Sequence, residues 1–379
     1  MKKKYLIISI SVLLVLSTCL YVFISDNTEK VVISSNKESN RSVVNTNALT
    51  MMYETEADSG EYQVSSDTSW STDGYTFNET LSKCENGSTL TWDNENKRVV
   101  VSTSVSDKCY VYFDKEPDDI YLASYITSLY TTDGENGLYY HDADLANGAG
   151  DNSYRFSGAN PNNYVCFGTD EVSCPEDNLY RIIGVFNGQV KLIKSTSYGK
   201  YVWESDWDTQ GNTWDETTKP DIYTTLNTTY YNTLGSEWQS KIATHSWKVG
   251  GMARDTSATA KDYYDTEVGT GQSGYEETMK IGLMYVSDYG YGASEEYWTT
   301  ELYNYEPTVD SNWMHLGSNE WTISRYSGTA DYAFGVYGTG SVGNGYVGTT
   351  AAVRPSFYLE SDVTYASGSG SMTDPLKIN

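Results

Sequence analysis

The chain has 379 residues, with 51 acidic against 25 basic residues and a formal net charge of −26. This length suggests two globular units plus appendages. The charge argues against nucleic acid as a partner, because a polyanion would be repelled. Tyrosine numbers 35 against 8 phenylalanines. A tyrosine joins an apolar ring to a polar tip, which is typical of half-exposed sheet faces and of recognition surfaces.

The N-terminal sequence predicts a membrane-targeting segment. Lysines at positions 2–4 precede residues 5–24, an uncharged run that as a helix would cross a hydrocarbon core of about 30 Å. A cleaved signal peptide has a shorter apolar region and a small-residue cleavage site, and neither is evident. We therefore predict a signal anchor, ahead of lipidation at Cys19, with the cytoplasmic membrane as its partner. The positive-inside bias places residues from Asp26 onward outside the cell.

Three segments follow the anchor. Residues 25–61 are rich in Ser, Asn, Thr, Glu and Asp without a sustained apolar period, which predicts a disordered tether. Residues 62–115 contain short β-branched and aromatic runs separated by turn signals such as Asn86-Gly87, which predicts a small all-β, sandwich-like domain. Residues 116–130 place apolar side chains at helical spacing, which predicts a helical connector.

The cysteines indicate an oxidising, extracytoplasmic compartment. Setting aside Cys19 leaves four cysteines, which allow three connectivities. We predict the two local pairs: Cys84 with Cys109, which bracket a strand-turn-strand unit, and Cys166 with Cys174, which flank a short polar loop. The alternative is a metal or redox site. No C-x-x-C motif supports it and the three histidines are scattered, so we predict no metal ligands.

A β-hairpin is predicted over residues 178–194, and the C-terminal domain is organised around it. Two runs of Ile, Val, Leu, Tyr and Phe flank Asn187-Gly188, a pair typical of a two-residue type I′ turn. In the second run apolar residues alternate with Gln189, Lys191 and Lys194. This alternation predicts one buried face and one solvated face.

The rest of the chain mixes helical and strand signals. An apolar residue at every fourth position over residues 222–242 predicts two helices, interrupted near Gly235-Ser236. Strands are predicted over residues 281–290, at residues 295–298, and repeatedly from residue 321 to residue 359. Glycines at 338, 340 and 343 formally match the dinucleotide-binding fingerprint, but a hairpin turn follows where that motif needs a helix. No cofactor is therefore predicted.

The last strands resemble a known type of domain. Residues 321–324 (Trp-Thr-Ile-Ser) and 353–359 (Val-Arg-Pro-Ser-Phe-Tyr-Leu) resemble an uncharacterised domain of surface and secreted proteins of Gram-positive bacteria. Residues 179–185 and 281–287 resemble its earlier strands, so the resemblance covers about residues 151–359. Such domains are similar to the C-type-lectin-like fold shared with formylglycine-generating enzymes, which implies a loop-rich ligand face. The late cysteines of those enzymes and the calcium motifs of lectins are missing, so neither chemistry is implied.

The predicted fold class is therefore α+β. A C-type-lectin-like mixed domain would occupy residues 131–379, after the helical connector. The small all-β sandwich-like domain precedes it, and a transmembrane helix within residues 1–24 begins the chain.

The predicted function is that of a membrane-anchored, extracellular binding or adhesion protein without catalytic residues. A glycan or a surface protein would contact Tyr297, Trp298, Trp313, Trp321, Tyr326, Tyr332, Tyr337 and Tyr346. One alternative is a cell-envelope or glycan-directed hydrolase using Glu295 and Glu296, although neighbours on a strand point to opposite faces. The other is a pilus-like structural subunit, for which the Gly and Glu signature of processed pilins is missing.

Overall fold

The computed structural model describes residues 23–25, 28–34, 48–57, 59–65, 74–93, 98–103, 107–116, 120–269 and 275–379. The chain divides into two compact units, Met1–Asp118 and Asp119–Asn379. Each unit has its own buried apolar core within these ranges.

The first unit is built from two sheets. Its strands are β1 (Phe23–Ser25), β2 (Thr28–Ser34), β3 (Ala48–Glu54), β4 (Tyr62–Val64), β5 (Tyr75–Cys84), β6 (Thr89–Asp93), β7 (Arg98–Thr103) and β8 (Lys108–Lys115). The sheet orders are β1-β2-β7-β6 and β4-β3-β8-β5, and β3 runs parallel to β8. Met51 and Phe113 of one sheet share a core with Val99 and Val101 of the other. Apolar burial between the sheets therefore holds this unit together.

Two of these strands come from the segment predicted as a tether, residues 25–61. Strand β2 pairs with β7 from Glu29 to Ser34, and β3 pairs in parallel with β8 from Ala48 to Tyr53. Val31, Val32 and Ile33 are consecutive β-branched residues, which favour a strand. The abundant Ser and Asn around them hide this local preference when composition is averaged over the whole segment.

The transmembrane helix predicted within residues 1–24 lies almost entirely outside the described residues, which begin at Phe23. Phe23 and Ile24 belong to strand β1. Among the described residues, no helix has the length and apolar character needed to cross a membrane. The membrane partner assigned to residues 5–24 stays a prediction.

Both predicted disulfides are present. Cys84 of β5 lies directly opposite Cys109 of β8 in the strand register, and the two sulfurs are bonded. Cys166 is bonded to Cys174, which closes a short loop in the second unit. Two disulfides are consistent with an extracellular protein.

The second unit contains many short strands and few helices. Its strands are β9 (Ile120–Tyr121), β10 (Leu138–His141), β11 (Ser153–Phe156), β12 (Tyr164–Cys166), β13 (Leu179–Phe186), β14 (Gln189–Lys194), β15 (Gly199–Val202), β16 (His245–Lys248), β17 (Glu276–Met279), β18 (Ile281–Gly282), β19 (Glu320–Arg325), β20 (Tyr332–Val336), β21 (Val342–Tyr346), β22 (Thr350–Val353), β23 (Ser356–Tyr358), β24 (Thr364–Ser367) and β25 (Lys377–Ile378). Its helices are α1 (Leu122–Ser128), α2 (Asp221–Thr224), α3 (Ser236–Ser240), α4 (Ala260–Glu267) and α5 (Val286–Gly292).

Most strands of the second unit belong to two sheets. One has the order β10-β11-β13-β14-β23-β18, with β12 also paired to β13, and the other has the order β15-β22-β19-β20-β21. Smaller sheets pair β16 with β17 and join β25, β24 and β9. A single apolar cluster draws on both large sheets and on the helices.

The predicted α+β class, with its C-type-lectin-like mixed domain, is wrong. The described part of the chain is mostly β: 38% of it is strand, arranged in several sheets, and 19% is helix. The named α-helices of the described part have only four to eight residues, so they do not form a helical layer of their own. The predicted connector, residues 116–130, contains the two-residue strand β9 and the short helix α1, and both belong to the second unit.

The organising hairpin is confirmed, but its solvated face is not. Asn187 and Gly188 adopt the positive φ values of a type I′ turn, 49° and 78°. Both faces of β14 are nevertheless buried, including Lys191 at 1% exposure and Lys194 at 5%. Lys191 contacts Asp288 from α5, and Lys194 donates a hydrogen bond to the carbonyl oxygen of Asp177. Partners from distant segments therefore satisfy charges that the local pattern assigned to water.

The helical stripe over residues 222–242 is also confirmed in outline. Helix α2 continues in irregular helical turns to Thr233, and α3 begins after Gly235. Two strand predictions are wrong. Residues 281–290 form the two-residue strand β18 and most of α5, and Glu295–Tyr297 form a single 3₁₀ turn. Apolar periodicity does not distinguish a short strand from a buried helix, which explains the first error.

Candidate ligand-binding site

Three of the eight predicted ligand residues lie in the core. Trp298, Trp313 and Trp321 are buried, with at most 6% of their surface exposed. Each indole nitrogen donates a hydrogen bond to a backbone carbonyl oxygen, at distances between 2.8 and 3.1 Å. A buried indole whose N–H is satisfied stabilises the fold. These three rings are therefore part of the scaffold and do not face a ligand.

Tyr297 and Tyr337 are half-buried and pack on their own surroundings. The Tyr337 hydroxyl donates to the carbonyl oxygen of Asn344 at 3.2 Å, and its ring covers Gly343. A Cβ atom at position 343 would lie 2.7 Å from that ring, so the glycine is needed for this close approach. Tyr297 ends the 3₁₀ turn and packs against the apolar core.

The remaining three tyrosines form a continuous row with a tryptophan that was not among the predicted residues. Ring centroids are 5.4 Å apart between Trp207 and Tyr346, 6.2 Å between Tyr346 and Tyr332, and 6.5 Å between Tyr332 and Tyr326. Trp207 is 45% exposed, and the three tyrosines are half-buried. We call these four residues the aromatic row. The sequence signal for Trp207 was its place in an aromatic, Gly- and Asp-rich loop.

Strand pairing determines the relative positions of two tyrosines of the row. Tyr332 on β20 and Tyr346 on β21 are direct partners in the antiparallel register, which brings their side chains to one face. The row continues inward from Tyr326 to the buried Phe334, at a centroid distance of 6.1 Å. One end of the row is therefore anchored in the core, and the other reaches solvent at Trp207.

Asn212 attaches the loop that carries Trp207 to the turn between β19 and β20. Its side-chain amide donates to the carbonyl oxygens of Tyr326 at 2.7 Å and Tyr332 at 2.6 Å, and also to that of Thr329 at 3.0 Å. The Asn212 side chain is 1% exposed, so these bonds are shielded from water. The loop and the turn are thus held together, which pre-organises the row.

Carboxylates border the row. Partial burial, followed by the charges of Asp331 and Asp208, raises the pKa of Tyr346. Its hydroxyl therefore stays protonated over the physiological range and can both donate and accept hydrogen bonds. Asp208 is exposed and Asp331 is half-buried. The surface thus combines flat apolar rings with hydrogen-bond acceptors.

The acidic pair considered for a hydrolase has a different setting. Glu295 and Glu296 are both exposed, and they lie in the 3₁₀ turn and not on a strand. A general acid needs an enclosed environment that raises its pKa, and solvent exposure works against this. The geometry therefore gives the hydrolase reading no support.

Comparison of the chain with protein-family models, with curated proteins and with solved structures yields no match.

Proposed function

We propose that the protein is an extracellular, non-catalytic binding protein that recognises a glycan through the aromatic row. The observation that carries this proposal is the unbroken series of ring contacts that begins at the buried Phe334 and runs through the aromatic row to the exposed Trp207. Large exposed rings are costly to leave in water, and adjacent ones mark recognition surfaces more often than single ones do.

The chemistry of the row suits a sugar. Tyr and Trp rings present flat apolar area and lose little conformational entropy on binding, since each side chain has only two rotatable angles. The faces of sugar rings that carry C–H groups stack on such surfaces, while the carboxylates of Asp208 and Asp331 accept hydrogen bonds from sugar hydroxyls. The Tyr346 hydroxyl adds a further donor between them.

An extracellular location supports this function. Two disulfides are favoured in an oxidising compartment and are rare in the cytosol. The uncharged run over residues 5–24 and the resemblance to Gram-positive surface domains point the same way. Within this proposal, about residues 151–359 form a surface domain of that type, and the chain is held at the cell membrane.

A glycan array tests the proposal directly. The full chain is expected to bind at least one class of glycan, and Trp207→Ala should lower the affinity by about tenfold or more, since Trp is among the side chains that most often contribute about 1.4 kcal/mol or more to binding. Binding to a protein array alone would replace the glycan with a protein ligand. Glycan binding that is unchanged in Trp207→Ala would place the site elsewhere on the molecule.

A further inference from the structure

The carboxylates that border the aromatic row come from two separate segments of the chain. Asp208 belongs to the loop that carries Trp207, and Asp331 lies in the turn directly before strand β20. The two segments are bonded to each other, because the Asn212 backbone N–H donates to the carbonyl oxygen of Ala330 at 2.6 Å. Two negative charges from distant parts of the sequence are therefore brought to one surface.

Both charges act on the same ring of the row. The carbonyl oxygen of Asp331 accepts a hydrogen bond at 2.9 Å from the N–H of Val347, the residue directly after Tyr346. After partial burial, the charges of Asp331 and Asp208 are the causes that raise the pKa of the Tyr346 hydroxyl, and no basic group of the described residues acts against them. The negative charge at the row is therefore not compensated.

Neither carboxylate has a counter-ion in the part of the chain that the structure describes. Asp208 accepts a long hydrogen bond from the hydroxyl group of its neighbour Thr209 at 3.5 Å, and Asp331 forms no salt bridge there. Arg181 and Lys191 lie over aromatic rings in the core, but within the same ranges no cation lies over a ring of the row. Negative charge and ring faces are thus both directed to a ligand.

An ammonium group has the chemistry that suits this combination. It is attracted to the face of a Trp or Tyr ring and donates charge-assisted hydrogen bonds to carboxylates. A sugar that carries a carboxylate or a sulfate would be repelled by Asp208 and Asp331, and also by the formal net charge of −26. A neutral sugar would stack on the rings but would gain little from the two charges.

We propose that the glycan bound by the aromatic row is one whose sugars carry free amino groups, such as a chain of glucosamine residues. This inference rests on the proposed function and adds the charge of the ligand to it. The sugar rings stack on Trp207 and Tyr346, and the ammonium groups pair with Asp208 and Asp331. Acetylation of the amino groups removes their charge and keeps the sugar ring, so it should weaken binding.

Calorimetric titration of the full chain with two tetrasaccharides tests the inference. One is a β-linked glucosamine tetrasaccharide, and the other is its fully N-acetylated counterpart. At mildly acidic pH the amines are protonated and the carboxylates are ionised. The glucosamine chain should then bind about fivefold more tightly, since each exposed ionic or cation–π contact contributes modestly and several are made. Added salt should reduce this preference. Equal affinities, or tighter binding of the acetylated chain, would overturn the inference.

Paired variants separate a local effect from that of net charge. Asp208→Asn combined with Asp331→Asn should lower the affinity for the glucosamine chain by about fivefold and leave that for the acetylated chain unchanged. Glu295→Gln combined with Glu296→Gln is the matched control, because these two charges act on Tyr139, which lies outside the row. The control should keep the preference. An equal loss of preference in both double variants would overturn the assignment to the row.

Failure of this inference is distinguishable from failure of the proposed function. Neutral or acidic glycans that bind in a Trp207-dependent manner, with no preference for free amines, would keep the proposed function and overturn the inference. An array on which no glycan binds would overturn both.

Discussion

Replacing Arg354 by methionine is expected to destabilise the second unit strongly. The Arg354 guanidinium group donates to both carboxylate oxygens of Glu320, at 2.6 and 2.9 Å, and to the carbonyl oxygen of Met314 at 2.6 Å. The Arg354 and Glu320 side chains are 2% and 1% exposed. Burial raises the pKa of Glu320 even with Arg354 beside it. Removing the guanidinium group leaves a buried carboxyl group unpaired, which costs about 3–5 kcal/mol.

Differential scanning calorimetry measures this effect. For a unit of this size each kcal/mol lowers the melting temperature by roughly 2–4 °C, so Arg354→Met should lower it by about 10 °C. Arg98→Met is the matched control. Arg98 pairs with Asp93 at 2.7 Å, but the two side chains are 30% and 23% exposed, so the loss should be below about 1 kcal/mol.

A double variant tests the stated cause. Arg354→Met combined with Glu320→Leu removes both charges, and apolar side chains of similar size often replace a buried ion pair without loss. The double variant should therefore be more stable than Arg354→Met alone. A single variant that melts within about 1 °C of the wild type, or a double variant no better than the single one, would refute the reasoning.

Three further predictions concern titration, packing and the disulfides. Burial raises the pKa of Glu267 from 4.5 to about 7, so in this pH window the folded chain keeps a proton that the unfolded chain has lost. The free energy of unfolding should fall by up to about 1.4 kcal/mol per pH unit as the pH rises through the window, and Glu267→Gln should flatten this slope in denaturant titrations. A Cβ atom at Gly184 would lie 2.2 Å from a backbone oxygen of β11, whereas at Gly235 its nearest neighbour would be 3.9 Å away, so Gly184→Ala should lower the melting temperature clearly and Gly235→Ala should not. Replacing Cys84 and Cys109 by serine should destabilise the first unit by about 3.5 kcal/mol, measured by urea unfolding, and an unchanged midpoint would argue against a structural role.

The features that were predicted correctly depend on residues close together in the sequence. The Asn187-Gly188 turn follows from the φ preferences of two residues, and the break at Gly235 follows from one glycine in an apolar stripe. The two disulfides join cysteines 25 and 8 positions apart. In each case local chemistry is sufficient, because no distant partner changes the outcome.

The features that were missed depend on distant partners. The alternation on β14 assigns Lys191 to solvent, and only a contact with Asp288, 97 positions away, gives that charge a place in the core. Residues 286–292 form a helix whose first turn is satisfied by the Glu267 carboxylate of another helix. The overall class was wrong for a related reason, since strands β2 and β3 of the segment predicted as a tether pair with the distant strands β7 and β8 and add to the strand content.

The candidate site was predicted only in part. The sequence predicted eight aromatic ligand residues, and three of these tyrosines do join a surface row. An aromatic-rich composition does not distinguish a recognition ring from a core ring. Trp313 is buried, and its indole N–H donates a hydrogen bond to the carbonyl oxygen of Phe156, 157 positions earlier in the sequence. This distant partner is not visible in the local sequence. Trp207 completes the row from a loop that is distant from the other members in the sequence.

The most direct test of the proposed function is the affinity of single variants for the glycan that binds best on the array. Trp207→Ala, Tyr332→Ala and Tyr346→Ala should each weaken binding by about tenfold or more. Tyr303→Ala is the matched control, because Tyr303 is 41% exposed and does not belong to the row. Its affinity should equal that of the wild type, and Trp207→Ala should melt within a few degrees of it. Equal affinities for all four variants and the wild type would contradict recognition through the aromatic row.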